Sequence, residues 1–493
     1  MSNLPIVSLW KGRVISFLKI SFLIFSVIFF SAVPNISKFF LLFLLSFIFL
    51  FLIIWQKGKH FLISKGLFFF ILTFFGYLLF NTYFVSKIIF DSKSELINYE
   101  LYILTFLTFL LAGNENIEKE LSISFLIVQT ILLFLFLNKK EEAIYFFVYN
   151  PNILAGYCLT VWLFSFCYIL EKSKYKHITV INLLFSTIFL LISKSFSSIF
   201  VLLIILIFKY SKKHFLNIIF LLGLLIFGIV YNYSGFYDRL VWIWIALKVW
   251  IKNFLFGVGV GNFKFYYQEY AKGLQPSIST IFVHNYFLHI STELGFIGFC
   301  FISFIVYFIM KNFSQKNKKF VLPLIGLILQ NLVDYNLAIP QNSILFFVLL
   351  SAVLLNKQKE IKKNFTKPVV LIFITLLFFH SFIASSRLQE IDSLLKSSGR
   401  NDLKRIVTID KTCWYGWKKL AFLEFGDKDF ATAKGFFYNT IKYNPREPES
   451  YLYLALINFK SNNKTEGYKF FLKAIILNPN ASKKYKNFIM SML

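Results

Sequence analysis

The feature that most constrains this chain is a succession of apolar runs, each about 15 to 20 residues long and nearly free of charge. Runs of this length cross the hydrocarbon core of a bilayer as α-helices, whereas the strands of a membrane barrel would alternate apolar and polar residues. With 57% hydrophobic and only 15% charged residues, the chain cannot form a soluble globule. The sequence therefore predicts an all-α, polytopic transmembrane helical bundle.

About thirteen spans are predicted from the apolar runs, and the eighth is short enough to be tilted or re-entrant. The first run lacks a small-residue cleavage site and is followed by further spans, so it is expected to remain as a helix. An odd number of spans places the two ends of the chain on opposite sides of the membrane. The predicted spans lie near residues 14–33, 39–55, 66–85, 99–112, 121–137, 153–170, 178–193, 198–209, 215–232, 287–310, 320–334, 341–355 and 368–384.

The basic residues indicate topology rather than nucleic-acid binding. The formal net charge is +28, yet the lysines lie in short connections between spans and not on one soluble face. Every second connection is rich in lysine, with one acidic exception at residues 113–120, so the positive-inside rule predicts that these connections and the N-terminus face the cytoplasm. The lysines in question are Lys57, Lys59, Lys65, Lys172, Lys174, Lys176, Lys209, Lys212, Lys213, Lys311, Lys316, Lys318, Lys319, Lys357, Lys359, Lys362, Lys363 and Lys367.

After Ser385 the composition changes to that of a soluble tail that matches itself at a spacing of 34 residues. Such a period, with aromatic, small and proline residues at fixed positions, resembles the tetratricopeptide repeat, although a generic helical hairpin is the simpler alternative. We therefore divide the chain into a membrane domain, 1–384, and a helical repeat domain, 385–493, which would recruit an acceptor or a partner protein. The matching pairs include Trp417 with Tyr451, Leu420 with Leu454, Ala421 with Ala455, Phe437 with Phe471, and Pro445 with Pro479.

One long polar excursion, residues 233–286, interrupts the apolar runs and carries the first candidates for chemistry. Arg239 precedes a tryptophan-rich stretch and could hold a phosphate through two parallel hydrogen bonds, or could simply anchor the chain at the membrane surface. His284 can accept a proton from a hydroxyl at neutral pH, or could be a structural residue at a helix start. The excursion is predicted to face outward.

Three further polar residues are candidates for binding a substrate. Lys194 lies on an outward turn where it could neutralise a diphosphate together with Arg239, or could be a lysine that reaches the interface from a helix end. Asn152 follows Asn150 and Pro151, where an asparagine could bond a glycan or cap a helix. Glu293 could orient another group or brace its helix.

The remaining motifs of the excursion indicate structure more than chemistry. The run of alternating glycines from Gly257 to Gly261 has no preceding strand and no following lysine–serine pair, so it predicts a tight turn and not a nucleotide-binding loop. Tyr266, Tyr267 and Tyr270 could stack on sugar faces or could be loop packing. The four cysteines form neither a disulfide framework nor a zinc pattern, no outward cluster of aspartates is evident, and we expect no cofactor and a metal-independent reaction.

Together, these segments resemble the O-antigen ligase and O-antigen polymerase group of bacterial membrane glycosyltransferases. The resemblance covers about residues 150–350. It rests on Arg239 with Trp242, on the turn at 257–263 and on the sequence HNYFLHISTELGFIG at 284–298, with weaker echoes at Asn150–Ala155, at Ser193–Ser198 and at Asp334–Tyr335 with Pro340. The chain departs from the family pattern at Lys194, where arginine is common, and at residues 253–256, where a proline is missing.

The resemblance implies a GT-C-like enzyme of the bacterial inner membrane, of about 12–13 spans, with a cytoplasmic N-terminus and a periplasmic repeat domain. It would transfer a glycan from an undecaprenyl-diphosphate carrier to an acceptor hydroxyl in lipopolysaccharide or polysaccharide biosynthesis. Arg239 would bind the diphosphate, and His284 would assist or deprotonate the acceptor, which could be another glycan, lipid A core or a protein. The partners are then the lipid-linked donor, the acceptor, membrane lipids and a protein held by the repeats, with no nucleic acid.

Several functions remain open from the sequence. O-antigen ligation is placed first, ahead of O-antigen or exopolysaccharide polymerisation and of transfer to a protein side chain. A transporter of lipid-linked sugars would show paired internal repeats and ionisable residues inside the membrane, and the sequence shows neither. A scaffold that only displays the repeats would not need so many spans.

Overall fold

The computed structural model describes residues 5–28, 34–55, 63–113, 116–138, 150–171, 175–210, 214–274, 280–314, 317–355, 367–397 and 399–492. Within these residues the chain is helical and contains no β-strand, which confirms the predicted all-α class. Its α-helices are α1 (Pro5–Ile28), α2 (Pro34–Trp55), α3 (Lys65–Phe80), α4 (Ile89–Ala112), α5 (Ile117–Leu137), α6 (Pro151–Leu170), α7 (Lys176–Ile192), α8 (Phe196–Tyr210), α9 (His214–Tyr231), α10 (Tyr233–Lys252), α11 (Phe263–Tyr270), α12 (Tyr286–Lys311), α13 (Lys318–Gln330), α14 (Pro340–Leu355), α15 (Lys367–Ser397), α16 (Arg400–Ile409), α17 (Trp414–Gly426), α18 (Phe430–Tyr443), α19 (Pro448–Lys460), α20 (Lys464–Leu477) and α21 (Ser482–Met492).

Seven of the described helices are long and apolar enough to cross a membrane, or eight if α9 and α10 are counted as one bent span. The prediction of several membrane-spanning helices is therefore confirmed, but the described residues contain fewer such helices than the thirteen spans expected. Helices α8, α13 and α14, each matched to a predicted span, have only 15, 13 and 16 residues. At about 1.5 Å per residue they are shorter than a hydrocarbon core of about 30 Å. The first predicted span extends into residues 29–33, which lie outside the described residues.

The interior of the bundle is built around α4 and α6. Their apolar windows are 83% and 78% buried, whereas the corresponding windows of α3 and α12 are only 28% buried. Helix α4 packs against α2, α14 and α15, and α6 packs against α7 and α13. A helix that is apolar on every side is expected at the centre of such a bundle, because each of its faces meets another helix.

The polar excursion folds into helices rather than an open loop. The buried residues of α10 recur every three or four positions, at Asp238, Val241, Trp242, Ile245 and Val249, so one face of this helix packs against α12 and α11. A glycine turn then leads into the short helix α11. The excursion therefore places the side chains of α10 beside the start of α12.

The C-terminal helices repeat with the predicted period. Helices α17 and α18 span residues 414–426 and 430–443. Helices α19 and α20 span residues 448–460 and 464–477, so each boundary recurs 34 residues later. Helix α16 matches the second helix of a preceding unit. This spacing meets the geometric requirement of the repeat hypothesis, and the assignment to the tetratricopeptide family stays a prediction.

The C-terminal helices contact the excursion and the membrane bundle directly. Arg446 pairs with Glu269 on α11 and lies 3.3 Å from the ring centre of Tyr266. Lys93 Nζ on α4 lies 2.9 Å from Asp410 Oδ2, and the Trp414 indole donates to Asp91 at 2.9 Å. The repeat region and the excursion thus contact each other, and the sides of the membrane on which the two ends of the chain lie stay a prediction. The predicted domain boundary after residue 384 falls inside α15, which continues unbroken from the apolar segment to Ser397.

The orientation across the membrane depends on connections that are mostly outside the described residues. Of the lysines that predicted a cytoplasmic N-terminus, the structure does not describe Lys57, Lys59, Lys172, Lys174, Lys212, Lys213, Lys316 and the four from Lys357 to Lys363. The cytoplasmic and periplasmic assignments therefore stay predictions.

Candidate functional site

Five segments that are distant in the sequence meet at one end of the bundle, at the start of α12. The meeting point is formed by α10, by the residues before α12, by the turn after α13, by the turn before α8 and by the start of α6. We call the three ionisable side chains at its centre, Arg239, His284 and Asp334, the cationic–imidazole cluster.

His284 is held between aromatic rings and a carboxylate. Its ring stacks on Trp242 with 4.3 Å between ring centres, and it meets Tyr335 edge-on at 4.7 Å. Its Nδ1 lies 3.7 Å from Asp334 Oδ1, slightly beyond hydrogen-bond distance. The next residue, Asn285, caps α12 by accepting from the Leu288 amide, so His284 stands just outside the helix and is not its cap.

Asp334 is almost fully buried and was not among the predicted site residues. It lies directly after α13, its Oδ1 accepts from the Tyr335 amide at 2.9 Å, and Ser197 Oγ lies at 3.5 Å from its Oδ2. Only 1% of its side chain is exposed. The available signal was an aspartate directly after an apolar helix, in the Asp334–Tyr335 echo of the family pattern.

Burial is the largest cause that shifts the pKa values of the histidine and the aspartate, in opposite directions. Burial, helped by the Arg239 cation and opposed by Asp238, lowers the pKa of His284 to about 3. Burial raises the pKa of Asp334 to about 6, against the effects of Arg239, the Tyr335 amide and Ser197. At neutral pH the cluster therefore holds a neutral imidazole beside a mainly ionised carboxylate.

Arg239 is the cation of the cluster, and not all of its nitrogens are hydrogen-bonded within the described residues. Its charge influences the pKa of both His284 and Asp334. Its Nε is buried and has no hydrogen-bond partner among the described residues. Because buried polar groups in folded proteins are nearly always paired, this nitrogen has capacity for a water or a ligand. Nδ1 of His284 also has no hydrogen bond, but it faces Asp334.

Of the predicted binding residues Lys194 and Asn152, only Lys194 lies near this cluster in the chain. Lys194 is exposed and adopts a left-handed backbone conformation, with φ of 51°, on the turn directly before α8, which carries Ser197. Asn150, and not Asn152, reaches the site: its amide nitrogen lies 3.5 Å from the Tyr335 hydroxyl, while its oxygen caps α6 through the Asn152 amide. The side chain of Asn152 makes no hydrogen bond to the described residues.

Glu293 lies in a separate polar cluster, which we call the glycine-turn cluster. Its two carboxylate oxygens accept from the backbone amides of Gly261 and Phe263 at 2.8 and 3.2 Å. Asn81 donates to the Phe256 carbonyl and accepts from the Val260 amide at 2.8 and 2.9 Å. Glu293 is thus positioned to brace the turn and not to face Arg239 and His284.

The glycines of this turn allow two backbones to meet. Helix α12 is broken at Gly295, where φ is 67° and ψ is −164°, and a Cβ there would come within 2.2 Å of the Leu255 carbonyl oxygen. A Cβ on Gly257 would come within 2.3 Å of the Glu293 carbonyl oxygen. Only glycine fits at such a left-handed position in direct backbone contact. The geometry agrees with the structural role predicted for these glycines.

The tyrosines of α11 are not available for stacking on sugars. Tyr266 and Tyr267 are only 3% and 4% exposed, and Arg446 covers the ring of Tyr266. The expectation that they line a glycan site is wrong for these two residues, because they pack between α10, α12 and the C-terminal helices.

An apolar cavity within the bundle reaches the first residues of α12. Its larger part, about 230 Å³, is bounded by α3, α4, α12 and α14, and a smaller part of about 60 Å³ reaches Tyr286 and Leu337. The two parts share Phe74, Tyr99 and Phe347 as walls. Tyr286 and Leu337 follow His284 and Asp334 by two and three residues, although no residue of the cluster lines either part of the cavity.

Comparison with models of protein families finds no match for this chain, and comparison with curated proteins finds no significant relative. The resemblance to O-antigen ligases and polymerases therefore stays a prediction. No group of three metal-ligating side chains occurs among the described residues, and the expected independence of metals also stays a prediction. The geometry of the cluster is the basis on which a function can be proposed.

Proposed function

We propose that this chain is a membrane glycosyltransferase that transfers a glycan from a lipid diphosphate, of the undecaprenyl type, to an acceptor hydroxyl, with O-antigen ligation as its first candidate reaction. The observation that carries the proposal is the cationic–imidazole cluster. It combines a buried guanidinium nitrogen without a partner among the described residues, a neutral imidazole and an ionised carboxylate, just before the helix whose first residues line an apolar cavity.

Arg239 provides the site for the diphosphate. A guanidinium can bind two phosphate oxygens through parallel hydrogen bonds, and such charge-assisted bonds are roughly twice as strong as neutral ones. When the bond between the sugar and the diphosphate breaks, negative charge develops on the departing oxygen. A fixed cation beside this oxygen stabilises the transition state more than the ground state.

His284 is the base for the acceptor in this proposal, and Asp334 positions it. With Nδ1 turned toward Asp334, Nε2 is the nitrogen left to take the acceptor proton. The acceptor oxygen then bonds to the anomeric carbon, and the lipid diphosphate leaves with the electron pair of the broken bond. The imidazolium that forms is stabilised by the carboxylate of Asp334 at 3.7 Å.

Donor binding would also make His284 a better base. In the free protein, burial and then the Arg239 cation lower the pKa of His284 to about 3, which makes the imidazole a weak proton acceptor. A diphosphate bound to Arg239 cancels the effect of that cation, so the pKa of His284 rises only after the donor is in place. The proton transfer is thereby tied to donor binding.

The apolar cavity supports a lipid-borne donor over a water-soluble one. It is lined almost entirely by apolar and aromatic side chains and reaches the first residues of α12, so a lipid chain that extends from it toward the cluster would present its diphosphate to Arg239. Lys194 would add a second cation at the exposed edge of the site.

A transporter of lipid-linked sugars is the second candidate, because the bundle contains one buried ion pair and a buried glutamate beside a half-exposed histidine, which the sequence did not suggest. Lys19 Nζ lies 3.1 Å from Glu120 Oε2, with 3% and 2% of the two side chains exposed. His380 Nδ1 lies 2.8 Å from Oε1 of Glu100, which is fully buried. Ionisable groups within candidate spans are costly and often mark transport pathways.

The test is an assay of the purified full-length protein with a lipid-diphosphate-linked glycan and separate acceptors, namely lipid A core, free glycan and peptide. We expect the wild type to consume donor, and His284→Ala and Arg239→Ala to lose at least about 10²-fold in rate. The matched controls are Lys252→Ala, an exposed cation on the same helix as Arg239, and His177→Ala, an exposed histidine. Both should keep the wild-type rate.

The same preparation separates the two candidates. If no protein consumes donor while all of them move the lipid across vesicles equally, the enzyme proposal is wrong and transport takes its place. If the two site variants and the two controls lose rate to the same extent, the cationic–imidazole cluster is not the site.

A further inference from the structure

We propose that a cleft between α4 and α15, separate from the cationic–imidazole cluster, binds one anionic phospholipid of the surrounding bilayer, with its phosphate at Arg387 and an acyl chain along the outer face of α15. The cleft has a volume of about 520 Å³, which is within the range of about 300–1,000 Å³ typical of ligand sites.

The apolar wall of the cleft is one face of α15. Leu376, Phe379 and Ile383 recur at helical spacing along it and are 63%, 67% and 36% exposed. They belong to the candidate span Pro368–Ser397, so this exposed face meets lipid and not water. An acyl chain can therefore lie along it without moving any side chain of the bundle.

The polar end of the cleft lies where lipid headgroups begin. Arg387 is twenty residues after the first residue of α15, which corresponds to about 30 Å of helix and to the thickness of the hydrocarbon core. The residues between Pro368 and Ala384 include no lysine, arginine, aspartate or glutamate. The guanidinium is therefore placed one core thickness from the opposite end of the span.

The other ionisable groups of the cleft already have partners. Lys93 pairs with Asp410, whose carboxylate also accepts from the Thr412 hydroxyl at 2.6 Å. His380 pairs with Glu100. Arg387 is exposed and forms no ion pair among the described residues. Arg387 is thus left without an acidic partner among the described residues. At this depth in the membrane, the anionic group that can pair with it is a lipid phosphate.

This inference does not depend on the proposed function, since the cleft shares no residue with Arg239, His284 or the apolar cavity. Its occupant would stabilise the contact between α15 and α4, the same contact from which the C-terminal helices extend.

The experiment measures lipid retention by native mass spectrometry of the full-length protein, released from nanodiscs that contain dioleoylphosphatidylglycerol or dioleoylphosphatidylcholine. We expect the wild type to retain one phosphatidylglycerol and Arg387→Gln to bind it about tenfold more weakly. Lys396→Gln removes an exposed cation from the same helix and is the matched control, which should bind as the wild type does. Ala384→Trp, which fills the cleft, should release the lipid without changing any charge.

Three results would overturn the proposal. One is equal retention of phosphatidylglycerol by Arg387→Gln and by Lys396→Gln. Another is equal retention of the zwitterionic and the anionic lipid by the wild type. The third is displacement of the lipid by millimolar inorganic phosphate, which would make the site one for a free anion. Thermal unfolding of each variant shows whether it is folded. If Arg387→Gln does not fold, Ala384→Trp provides an independent test of the site.

Discussion

The cationic–imidazole cluster and the glycine-turn cluster lie at the two ends of the same short stretch of α12, and they differ in how their polar atoms are used. In the glycine-turn cluster, both oxygens of Glu293 accept backbone hydrogen bonds, and Asn81 both donates and accepts. In the cationic–imidazole cluster, Arg239 Nε and His284 Nδ1 are buried without hydrogen bonds to the described residues.

This difference separates two reasons for placing polar groups in an apolar protein. A carboxylate whose two oxygens each accept a backbone N–H fixes the backbone around it and is already used by the fold. A guanidinium and an imidazole with open positions cost free energy in the folded state, and a protein keeps such groups where a ligand completes them. Four predictions test whether the two clusters divide structure and function in this way.

The largest effect is expected for Asp334→Asn. Loss of the carboxylate that positions His284 should lower the donor-consumption rate by about 10²–10⁴-fold. Burial of the ionised Asp334 is unfavourable, as its raised pKa shows, so the substitution should leave the thermal unfolding temperature in detergent unchanged or raise it. If the rate of Asp334→Asn falls only in proportion to the amount of folded protein, Asp334 does not act by positioning His284.

The next largest effect is expected for Gly295→Ala in the glycine-turn cluster. The new Cβ would meet the Leu255 carbonyl oxygen at 2.2 Å in a backbone conformation that only glycine adopts freely, so we expect a loss of about 2–4 kcal/mol in the free energy of unfolding. Gly435→Ala is the control, because a Cβ at that helical position has no neighbour within 4 Å, and it should stabilise slightly. Equal unfolding temperatures for the two variants would show that the break in α12 is not tightly specified.

A smaller effect is expected for Glu293→Gln. The amide group of glutamine would face one of the two backbone N–H donors, at a cost of about 1–3 kcal/mol in stability. The rate per folded molecule should remain that of the wild type. The control is Glu466→Gln, on an exposed helix of the C-terminal region. If Glu293→Gln loses rate at unchanged stability, Glu293 acts in the functional site and not only in bracing the turn.

The smallest effect is a pH dependence of the wild-type rate. The pKa of Asp334 is raised to about 6, so its carboxylate protonates below that pH, and the rate should fall about tenfold per pH unit. The profile of kcat/KM reports the free protein. There His284, with its pKa lowered to about 3, stays neutral over this range and should produce no change near its ordinary value of 6.5.

Stability should respond to pH with the opposite sign for Asp334. A raised pKa means that the folded state binds the proton more tightly, so this contribution to stability is complete below pH 3.8 and is lost as the pH rises through about 6. Rate and unfolding profiles of the wild type and Asp334→Asn check both signs. An acid limb near 6.5 that survives in Asp334→Asn would identify the histidine as the titrating group instead.

The sequence predicted the helical class and the repeat period well, because both depend on local patterns of apolar residues. Span number was harder, since helices such as α8, α13 and α14 are apolar yet too short to cross the core. Arg239 and His284 could be named from residue chemistry and resemblance. Asp334 appeared only as a weak echo of the family pattern, because its position beside His284 follows from the packing of α12 against the end of α13, which no local pattern specifies.

The same limit explains the placement of Glu293 and Asn152. Glu293 is close to His284 in sequence, but the break at Gly295 and the turn around Gly261 direct its carboxylate toward backbone amides. Asn150 and Asn152 are equally plausible from composition, and only the capping geometry of α6 decides which of them turns toward Tyr335. The tyrosines of α11 likewise suggested a sugar-stacking surface from the sequence. The structure shows Tyr266 and Tyr267 buried, with Arg446 of the C-terminal region over the ring of Tyr266.

The C-terminal helices contact α4 through Asp410 and Trp414 and the excursion through Arg446 and Asn480, in addition to their covalent continuation from α15. Attachment at several separate points restricts rotation about any one of them. A protein that docks on the outer repeats would therefore be held in a restricted range of positions relative to the membrane bundle. An antibody fragment raised against these repeats would serve as a fiducial for imaging the small membrane bundle.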